Sequence, residues 1–179
     1  MEVIKIKNGK ITFSDPCYRL GTWCAIYNIP FPNGEYRIQA KKTDEGDWGY
    51  RVAEIAIYNK NLVPENESRE LDIWWNELEG EVGVDSGQAG IFDSIYYEKF
   101  HNEDSINDLW YDRICDITLA EEGYGATDEL GVVSSSGYGD GGYTAYLGKL
   151  GDKIVAAKIV FIDDEEEPED EDWTELEKE

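Results

Sequence analysis

The chain has 179 residues, of which 41% are hydrophobic and 13% aromatic, so it carries enough large apolar side chains for one compact domain and lacks the composition of a disordered protein. Its 40 acidic and 16 basic residues give a formal net charge of −24. Because such a charge repels phosphates and anionic lipids, we expect no direct nucleic-acid binding and no membrane binding.

The first sixty residues predict β-strands. Apolar and polar residues alternate in "EVIKIKNGKITFSD" on both sides of Asn8-Gly9, which is the pattern of a β-hairpin closed by a type I′ turn. The alternation continues in "PNGEYRIQAKK" and "YRVAEIAIYN". Residues 60–79 fit either a short helix or an exposed loop.

The second half mixes strands with a helical region. A strand, a turn and a short strand are predicted by "EVGVDSGQAGIFD". Residues 94–120 carry apolar side chains at a helix-like period that breaks near Asn102, and residues 131–163 return to strands with Asp140-Gly141 as a hairpin-turn signal. The predicted fold class is α+β and β-rich, mostly antiparallel sheet or sandwich, with one or two helices in the region 94–120.

Acidic residues are concentrated at the C-terminus. Residues 163–179 hold twelve acidic residues and one lysine, a net charge of −11, which leaves −13 for residues 1–162. Self-repulsion and the scarcity of apolar side chains predict a disordered tail, in which Trp173 is a candidate anchor for a basic, apolar groove of a partner. We therefore expect a single β-rich globular domain over residues 1–162 and an acidic tail over residues 163–179.

The cysteines indicate a reducing environment. Cys17, Cys24 and Cys115 form no CxxC motif and no Cys/His cluster, which argues against a disulfide scaffold and against structural zinc. A nucleophilic Cys17 needs a base, and the one histidine, His101, lies in a polar segment. The start "MEVIKIKNGK" lacks the apolar run of a signal peptide, and no segment approaches the ~20 apolar residues that cross a bilayer. These features predict a soluble, cytoplasmic protein.

Three short stretches carry the candidate site residues. The first, "SDPCY" at 14–18, ends a strand in an Asp-Pro turn. The second, "VDSGQAG" at 84–90, matches neither a phosphate-binding loop nor a nucleophile elbow, and it predicts a tight turn. The third, "SSSGYGDGGYTAY" at 134–146, fits either a polar hairpin or a ligand pocket lined by hydroxyls and aromatic rings.

In this order the three stretches resemble an uncharacterised domain family of bacterial and phage proteins. Members of that family show an Asp-Pro near the first strands, a "VD-small-G" turn and an "SG-aromatic-GDG-x-Y" hairpin near the C-terminus. Here these motifs are Asp15-Pro16, the segment 84–87 and the segment 136–143. The resemblance covers residues 11–162 and implies a shared β-rich fold without an established activity. This chain departs from the pattern in its acidic tail and in having Tyr138 where a tryptophan is expected.

The three aspartates at these turns, Asp15, Asp85 and Asp140, are candidates to converge on one site. Three carboxylates at strand ends suit Mg²⁺ or Ca²⁺ binding or acid–base work, although turns also favour aspartate and glycine for purely local reasons. The sequence assigns no catalytic residue, no metal ligand and no cofactor. The candidate ligand-binding residues are Asp15, Asp85, Ser86, Gln88, Ser136, Tyr138, Asp140 and Tyr143.

The leading functional hypothesis is an acidic binding protein of a phage or bacterium that engages a protein partner with a basic surface. A special form is mimicry of nucleic acid, in which carboxylates take the place of phosphates. The alternative is a small-ligand-binding protein or a hydrolase-like enzyme that uses Asp15, Asp85 and Asp140. A structural or carrier protein without a pocket is a third reading, and the sequence leaves the oligomeric state open.

Overall fold

A computed structural model of the protein describes residues 2–66, 71–101 and 108–163. The strands are β1 (Val3–Ile6), β2 (Lys10–Ser14), β3 (Ile26–Pro30), β4 (Gly34–Asp44), β5 (Tyr50–Asn59), β6 (Trp74–Glu77), β7 (Val82–Val84), β8 (Gln88–Asp93), β9 (Tyr124–Thr127), β10 (Gly131–Ser135), β11 (Gly141–Leu150) and β12 (Lys153–Val160). The α-helices are α1 (Ser94–Phe100) and α2 (Asp108–Leu119), and a short 3₁₀ turn covers Gly46–Trp48. The expected helix break near Asn102 and the acidic tail after Asp163 lie outside the described residues.

The strands form two antiparallel sheets that pack face to face. The larger sheet has the order β1-β4-β5-β12-β11-β6, with β7 also paired to β11, and the smaller sheet has the order β3-β2-β8-β10-β9. The main core lies between them, where Ile4 and Ile55 of the larger sheet and Ile11 and Ile91 of the smaller sheet are fully buried. The predicted α+β, β-rich class is confirmed, and of the two predicted arrangements, antiparallel sheet or sandwich, the structure has the sandwich.

The two helices form a third layer on the outer face of the smaller sheet. Trp110 of α2 is fully buried and contacts the rings of Phe92 and Tyr97. Strand β8 is buried along its whole length because one face meets the larger sheet and the other meets the helices. The prediction of one or two helices within 94–120 is confirmed. None of the described helices is long and apolar enough to span a bilayer.

The predicted hairpin around Asn8-Gly9 is wrong. Strand β1 pairs with β4 in the larger sheet, whereas β2 pairs with β3 and β8 in the smaller sheet. Gly9 has a positive φ of 69° and Asn8 does not, so the turn is not type I′. Alternation fixes which face of a strand is apolar and leaves its pairing partner open. Ile6 and Phe13 accordingly reach the same core from opposite sheets.

Two other local expectations also change. The Asp140-Gly141 turn closes no hairpin, because β10 belongs to the smaller sheet and β11 to the larger one. The region 60–79 contains β6, which extends the larger sheet beside β11, and residues 67–70 within it lie outside the described residues. Trp75 of β6 packs edge-on against Tyr58 on the outer face of that sheet, and this contact between distant segments favours a strand over a short helix or a loop.

His101 is buried among the aromatic side chains of the helical layer. Its ring centroid lies 4.2 Å from that of Tyr97 and 5.1 Å from that of Trp110. Neither ring nitrogen has a hydrogen-bond partner within the described part of the chain. Burial lowers the pKa of His101 from 6.5 to about 4, so the folded protein holds a neutral imidazole at this position.

We expect the wild type to lose stability, relative to a His101→Phe variant, as the pH falls from 6.5 to about 4. In this window the unfolded chain binds a proton on His101 that the folded chain does not, so the free energy of unfolding falls. Above the window both states are neutral and below it both are protonated, so the difference between the two proteins levels off. Urea unfolding across this pH range measures it. Parallel pH curves for the two proteins would contradict a buried neutral histidine.

Candidate functional site

The stretch "SDPCY" meets "VDSGQAG" through the carboxylate of Asp15. Asp15 directly follows β2, and none of its surface is exposed. Its Oδ2 accepts the backbone N–H groups of Asp85 and Ser86 at 2.9 and 2.8 Å. Its Oδ1 accepts the Ser86 hydroxyl at 2.6 Å and the backbone N–H of Cys17 at 2.8 Å. Four donors therefore satisfy this buried carboxylate, which fixes the turn between β7 and β8.

The two other candidate aspartates are exposed. Asp85 accepts the hydroxyl of Tyr18 at 2.5 Å, and this hydrogen bond raises the pKa of Tyr18 to about 12. Gly141 pairs with Val84 in the β7–β11 ladder, so Asp85 and Asp140 occupy the next pair of positions at its end. Among residues 2–66, 71–101 and 108–163, no three carboxylate, thiol or imidazole groups are placed to hold a metal ion. The three aspartates therefore do not form a three-carboxylate metal site.

The third stretch joins the same corner of the sandwich. The backbone N–H of Ser136 donates to the carbonyl of Gly87 at 3.1 Å. The Ser136 hydroxyl is buried and donates to the carbonyl of Gly139 at 2.9 Å, inside its own turn. All three stretches meet where the chain crosses between the sheets, once from β7 to β8 and once from β10 to β11. We refer to this group of turns, residues 15–18, 85–87 and 136–140, as the crossover corner.

Gln88 anchors α2 to the crossover corner. Its buried amide donates from Nε2 to the Tyr111 hydroxyl at 3.2 Å. Its Oε1 accepts the Thr118 hydroxyl at 2.7 Å. Both ends of the amide are engaged with α2, so Gln88 positions the helix against β8.

The thiol of Cys17 lies at the same corner. Burial, with a further contribution from the nearby charge of Asp15, raises the pKa of this thiol above its usual value. A nucleophilic cysteine requires the opposite shift, toward the thiolate. His101 packs instead against Tyr97 and Trp110 in the helical layer, so the structure shows no Cys-His pair at Cys17.

An open groove of about 740 Å³ lies beside the crossover corner. Its walls come from the tip of the β4–β5 hairpin, from the segment 138–146 and from the end of β12 at residues 160–163. The side chains that matter for its chemistry are Glu45, Tyr138, Tyr143, Tyr146, Phe161 and Asp163. Two predicted residues, Tyr138 and Tyr143, thus line the groove. The six others, Asp15, Asp85, Ser86, Gln88, Ser136 and Asp140, lie outside its lining.

The two predicted tyrosines are held differently. The Tyr143 hydroxyl points into the turn, 2.6 Å from the carbonyl oxygen of Gly139 and 3.1 Å from that of Ser136. Its ring meets Phe161 edge-on, with centroids 5.1 Å apart. Tyr138 is 60% exposed, and its hydroxyl donates to the Glu45 carboxylate, which raises the pKa of Tyr138. Tyr143 is therefore packed and hydrogen-bonded within the fold, whereas the Tyr138 ring is largely exposed to solvent.

The groove is acidic and aromatic. It contains the carboxylates of Glu45 and Asp163, and no lysine or arginine occurs among its described lining residues. Trp48 and Tyr50, on the same hairpin tip as Glu45, are 70% and 75% exposed. Aromatic faces combined with carboxylates favour a cation, because both the ring quadrupole and the carboxylate attract positive charge.

Sequence reasoning missed four of the six groove side chains named above, which are Glu45, Tyr146, Phe161 and Asp163. Glu45 belongs to a hairpin tip 93 positions before Tyr138, and no local pattern connects the two. Asp163 is the first residue of the predicted acidic tail, so it was not considered as part of a site in the folded domain. Tyr146 ends the quoted stretch 134–146, where its alternation with Thr144 along β11 was an available signal.

Fold and groove together define a two-sheet antiparallel sandwich with a cation-favouring groove at one corner. The chain belongs to the family described as proteins of unknown function, DUF4241, whose model matches residues 4–160. The resemblance to an uncharacterised domain family is thereby confirmed, and the match spans the crossover corner and most of the groove. No curated protein and no solved structure matches the chain.

Proposed function

We propose that this protein binds a basic segment of a partner protein in the groove beside the crossover corner. The observation that carries the proposal is the groove itself, which presents three tyrosines and two carboxylates and has no lysine or arginine among its described lining residues. A concave site with this lining is complementary to an extended basic chain. In a protein of net charge −24, it is a specific place for a cationic partner to dock.

The charge of the rest of the chain supports this proposal. Asp163 lines the groove, and eleven of the sixteen residues that follow it in sequence are acidic. Their field attracts a basic partner over distances of about a Debye length, ~8 Å at physiological salt. We assign this long-range attraction to the tail and the short-range contacts to the groove, with Trp173 of the tail as a candidate additional anchor.

The crossover corner has a supporting role in this proposal. Asp15, Ser86 and Ser136 are satisfied by contacts within the fold, and they hold the turn that carries Tyr138. Of the predicted residues, we expect Tyr138 and Tyr143 to meet the ligand because they line the groove, whereas Asp140 is exposed on the same turn outside that lining and contributes only its charge, which reaches Tyr143. The unpaired thiols of Cys17, Cys24 and Cys115 suit a phage or bacterial factor of a reducing cytoplasm. Mimicry of nucleic acid is the form that this proposal takes if the partner is a nucleic-acid-binding protein.

Binding to a peptide of alternating arginine and lysine tests the proposal. We expect the full-length protein to bind it and to lose affinity by about tenfold or more between ~50 and ~300 mM salt. The double variant Glu45→Gln, Asp163→Asn should bind several times more weakly than the wild type at low salt. Titration calorimetry or fluorescence anisotropy measures both effects.

The matched control removes two exposed carboxylates away from the groove, with Asp152→Asn and Asp116→Asn. Because this control variant has the same net charge as the groove variant, a difference between their affinities depends on where the carboxylates were removed. An equal loss of affinity in both variants would show that the peptide is held by diffuse attraction to the charged protein rather than in the groove. Absence of binding at low salt would overturn the proposal altogether.

A further inference from the structure

The contact between Glu45 and Tyr138 bears on which basic side chain the groove takes. Glu45 projects from the β4–β5 hairpin tip and Tyr138 from the β10–β11 connection, so their hydrogen bond spans two walls of the groove. Both side chains are solvent-accessible, and a hydroxyl occupies only one of the acceptor positions of a carboxylate. A stronger donor with two parallel N–H groups can therefore displace the Tyr138 hydroxyl.

We propose that the groove selects arginine over lysine, with a guanidinium group pairing with Glu45 in place of the Tyr138 hydroxyl and stacking on the Tyr138 ring. This inference rests on the proposed function and names the side chain that occupies the site. A guanidinium is planar, presents paired N–H donors and is weakly hydrated, so it binds a carboxylate through two hydrogen bonds while its face lies on an aromatic ring. An ammonium is a compact and strongly hydrated charge that does neither as well.

One exposed ring contacts Glu45 directly, and two more belong to the same hairpin tip. Tyr138 is 60% exposed, and Trp48 and Tyr50 on the hairpin tip are 70% and 75% exposed. The same chain already places a guanidinium over a ring at a buried position, where Arg37 lies 4.7 Å from the centroid of Tyr58. Exposed rings beside an accessible carboxylate offer a partner's arginine the equivalent arrangement.

Two cations of the chain lie near the groove, and the charge of one of them, Arg51, reaches Tyr138. Lys158 lies 5.5 Å from the ring centroid of Tyr146 and forms an ion pair with Glu54 at 2.9 Å. The Nε of Arg51 donates to the carbonyl of Trp48 at 3.1 Å. Across the groove, the Glu45 carboxylate accepts a hydrogen bond from the neutral Tyr138 hydroxyl, and this contact leaves its negative charge for an incoming cation.

The base of the groove is rigid enough to keep this geometry. Gly137 has a φ of 58°, and a Cβ at this position would lie 3.0 Å from side-chain atoms of Phe161 and Ile162. The turn that carries Tyr138 is thus packed closely onto the end of β12. The Tyr143 hydroxyl ties the same turn to its neighbour strand. The proposed exchange of partners then requires only a rotation of the Tyr138 side chain, with its backbone held in place.

The test compares hexa-arginine with hexa-lysine, two peptides of equal side-chain charge, by titration calorimetry on the full-length protein at ~150 mM salt. We expect the arginine peptide to bind about fivefold more tightly or better. Glu45→Gln should abolish this preference. Tyr138→Ala should lower the affinity for the arginine peptide. Tyr138→Phe should preserve or raise that affinity, because it removes the hydroxyl that competes for Glu45. Tyr27→Ala, at a 46% exposed tyrosine on β3, is the matched control and should leave both peptides unchanged.

The outcomes separate the two proposals. If neither peptide binds, both the proposed function and the arginine preference are overturned. If both peptides bind equally and the Glu45→Gln, Asp163→Asn double variant weakens both, the basic-partner groove stands and the arginine preference is wrong. A preference that survives Glu45→Gln, or a Tyr138→Phe variant that binds as poorly as Tyr138→Ala, also overturns the assignment. Thermal unfolding of each variant shows that the exposed substitutions leave the fold intact.

Discussion

Replacing Asp15 by asparagine should lower the free energy of unfolding by about 3 kcal/mol. The carboxylate is fully buried and accepts four hydrogen bonds, three of them from backbone N–H groups. An asparagine has only one acceptor end, so in either orientation its NH₂ group faces at least one buried N–H donor. The lost hydrogen bonds and the unsatisfied donor both lower the free energy of unfolding, because these buried groups cannot bond to water instead.

Asp140→Asn is the matched control, since Asp140 belongs to the same corner but is exposed. It should change stability by no more than about 0.5 kcal/mol. Denaturant unfolding of the three proteins measures both effects. The sign of the stability change in Asp15→Asn carries functional information, because replacing a strained or unpaired active-site carboxylate tends to stabilise a protein. A stability gain in Asp15→Asn would overturn the supporting role and favour the alternative of an enzyme that uses Asp15.

Replacing Asp93 by alanine should cost about 4 kcal/mol, the largest effect that we expect from a single polar side chain here. Asp93 ends β8, is fully buried and caps α1, accepting the backbone N–H groups of Ile95 and Tyr96 at 3.1 and 3.3 Å. It also accepts the backbone N–H groups of Lys7 and Asn8 at 2.8 and 3.2 Å. One carboxylate thus joins the helical layer to the connection between β1 and β2, where the chain passes from one sheet to the other.

An Asp93→Asn variant dissects this effect. Its single carbonyl oxygen can serve the helix cap or the β1–β2 connection but not both, so we expect a loss of about 2 kcal/mol, between wild type and alanine. Asp116→Asn, at an exposed position on α2, should stay close to wild type. Urea unfolding gives the three values. Equal stability of Asp93→Asn and wild type would show that one of the two sets of hydrogen bonds contributes nothing.

Both aspartates point to the same principle in this fold. Each chain crossing between the sheets lacks the ladder of hydrogen bonds that a hairpin turn has, and its backbone N–H groups need other acceptors. Asp15 supplies them for the β7–β8 crossing, and Asp93 supplies them for the β1–β2 crossing. The groove opens beside the former, so we expect the stability of that corner and the shape of the groove to depend on the same carboxylate.

Some features could be read from the sequence because they depend on neighbouring residues. The alternation in "YRVAEIAIYN" predicts β5, and the helix-like period over 94–120 predicts one or two helices, where the structure has α1 and α2. Turn residues located the ends of the strands at Asn8-Gly9, at Asp85–Gly87 and at Asp140-Gly141. The net charge of −24 follows from the composition alone, and it is the reason that we propose a basic partner.

The pairing of strands and the composition of the groove were decided by tertiary structure. A period of two specifies which side chains face the core, and Ile6 and Phe13 satisfy it equally well in one sheet or in two facing sheets. Glu45 and Tyr138, separated by 93 positions, meet only because β4 and β5 share a sheet with β11 and β12. Local patterns carry no information on such contacts, since their energies arise when distant apolar faces pack together and exclude water.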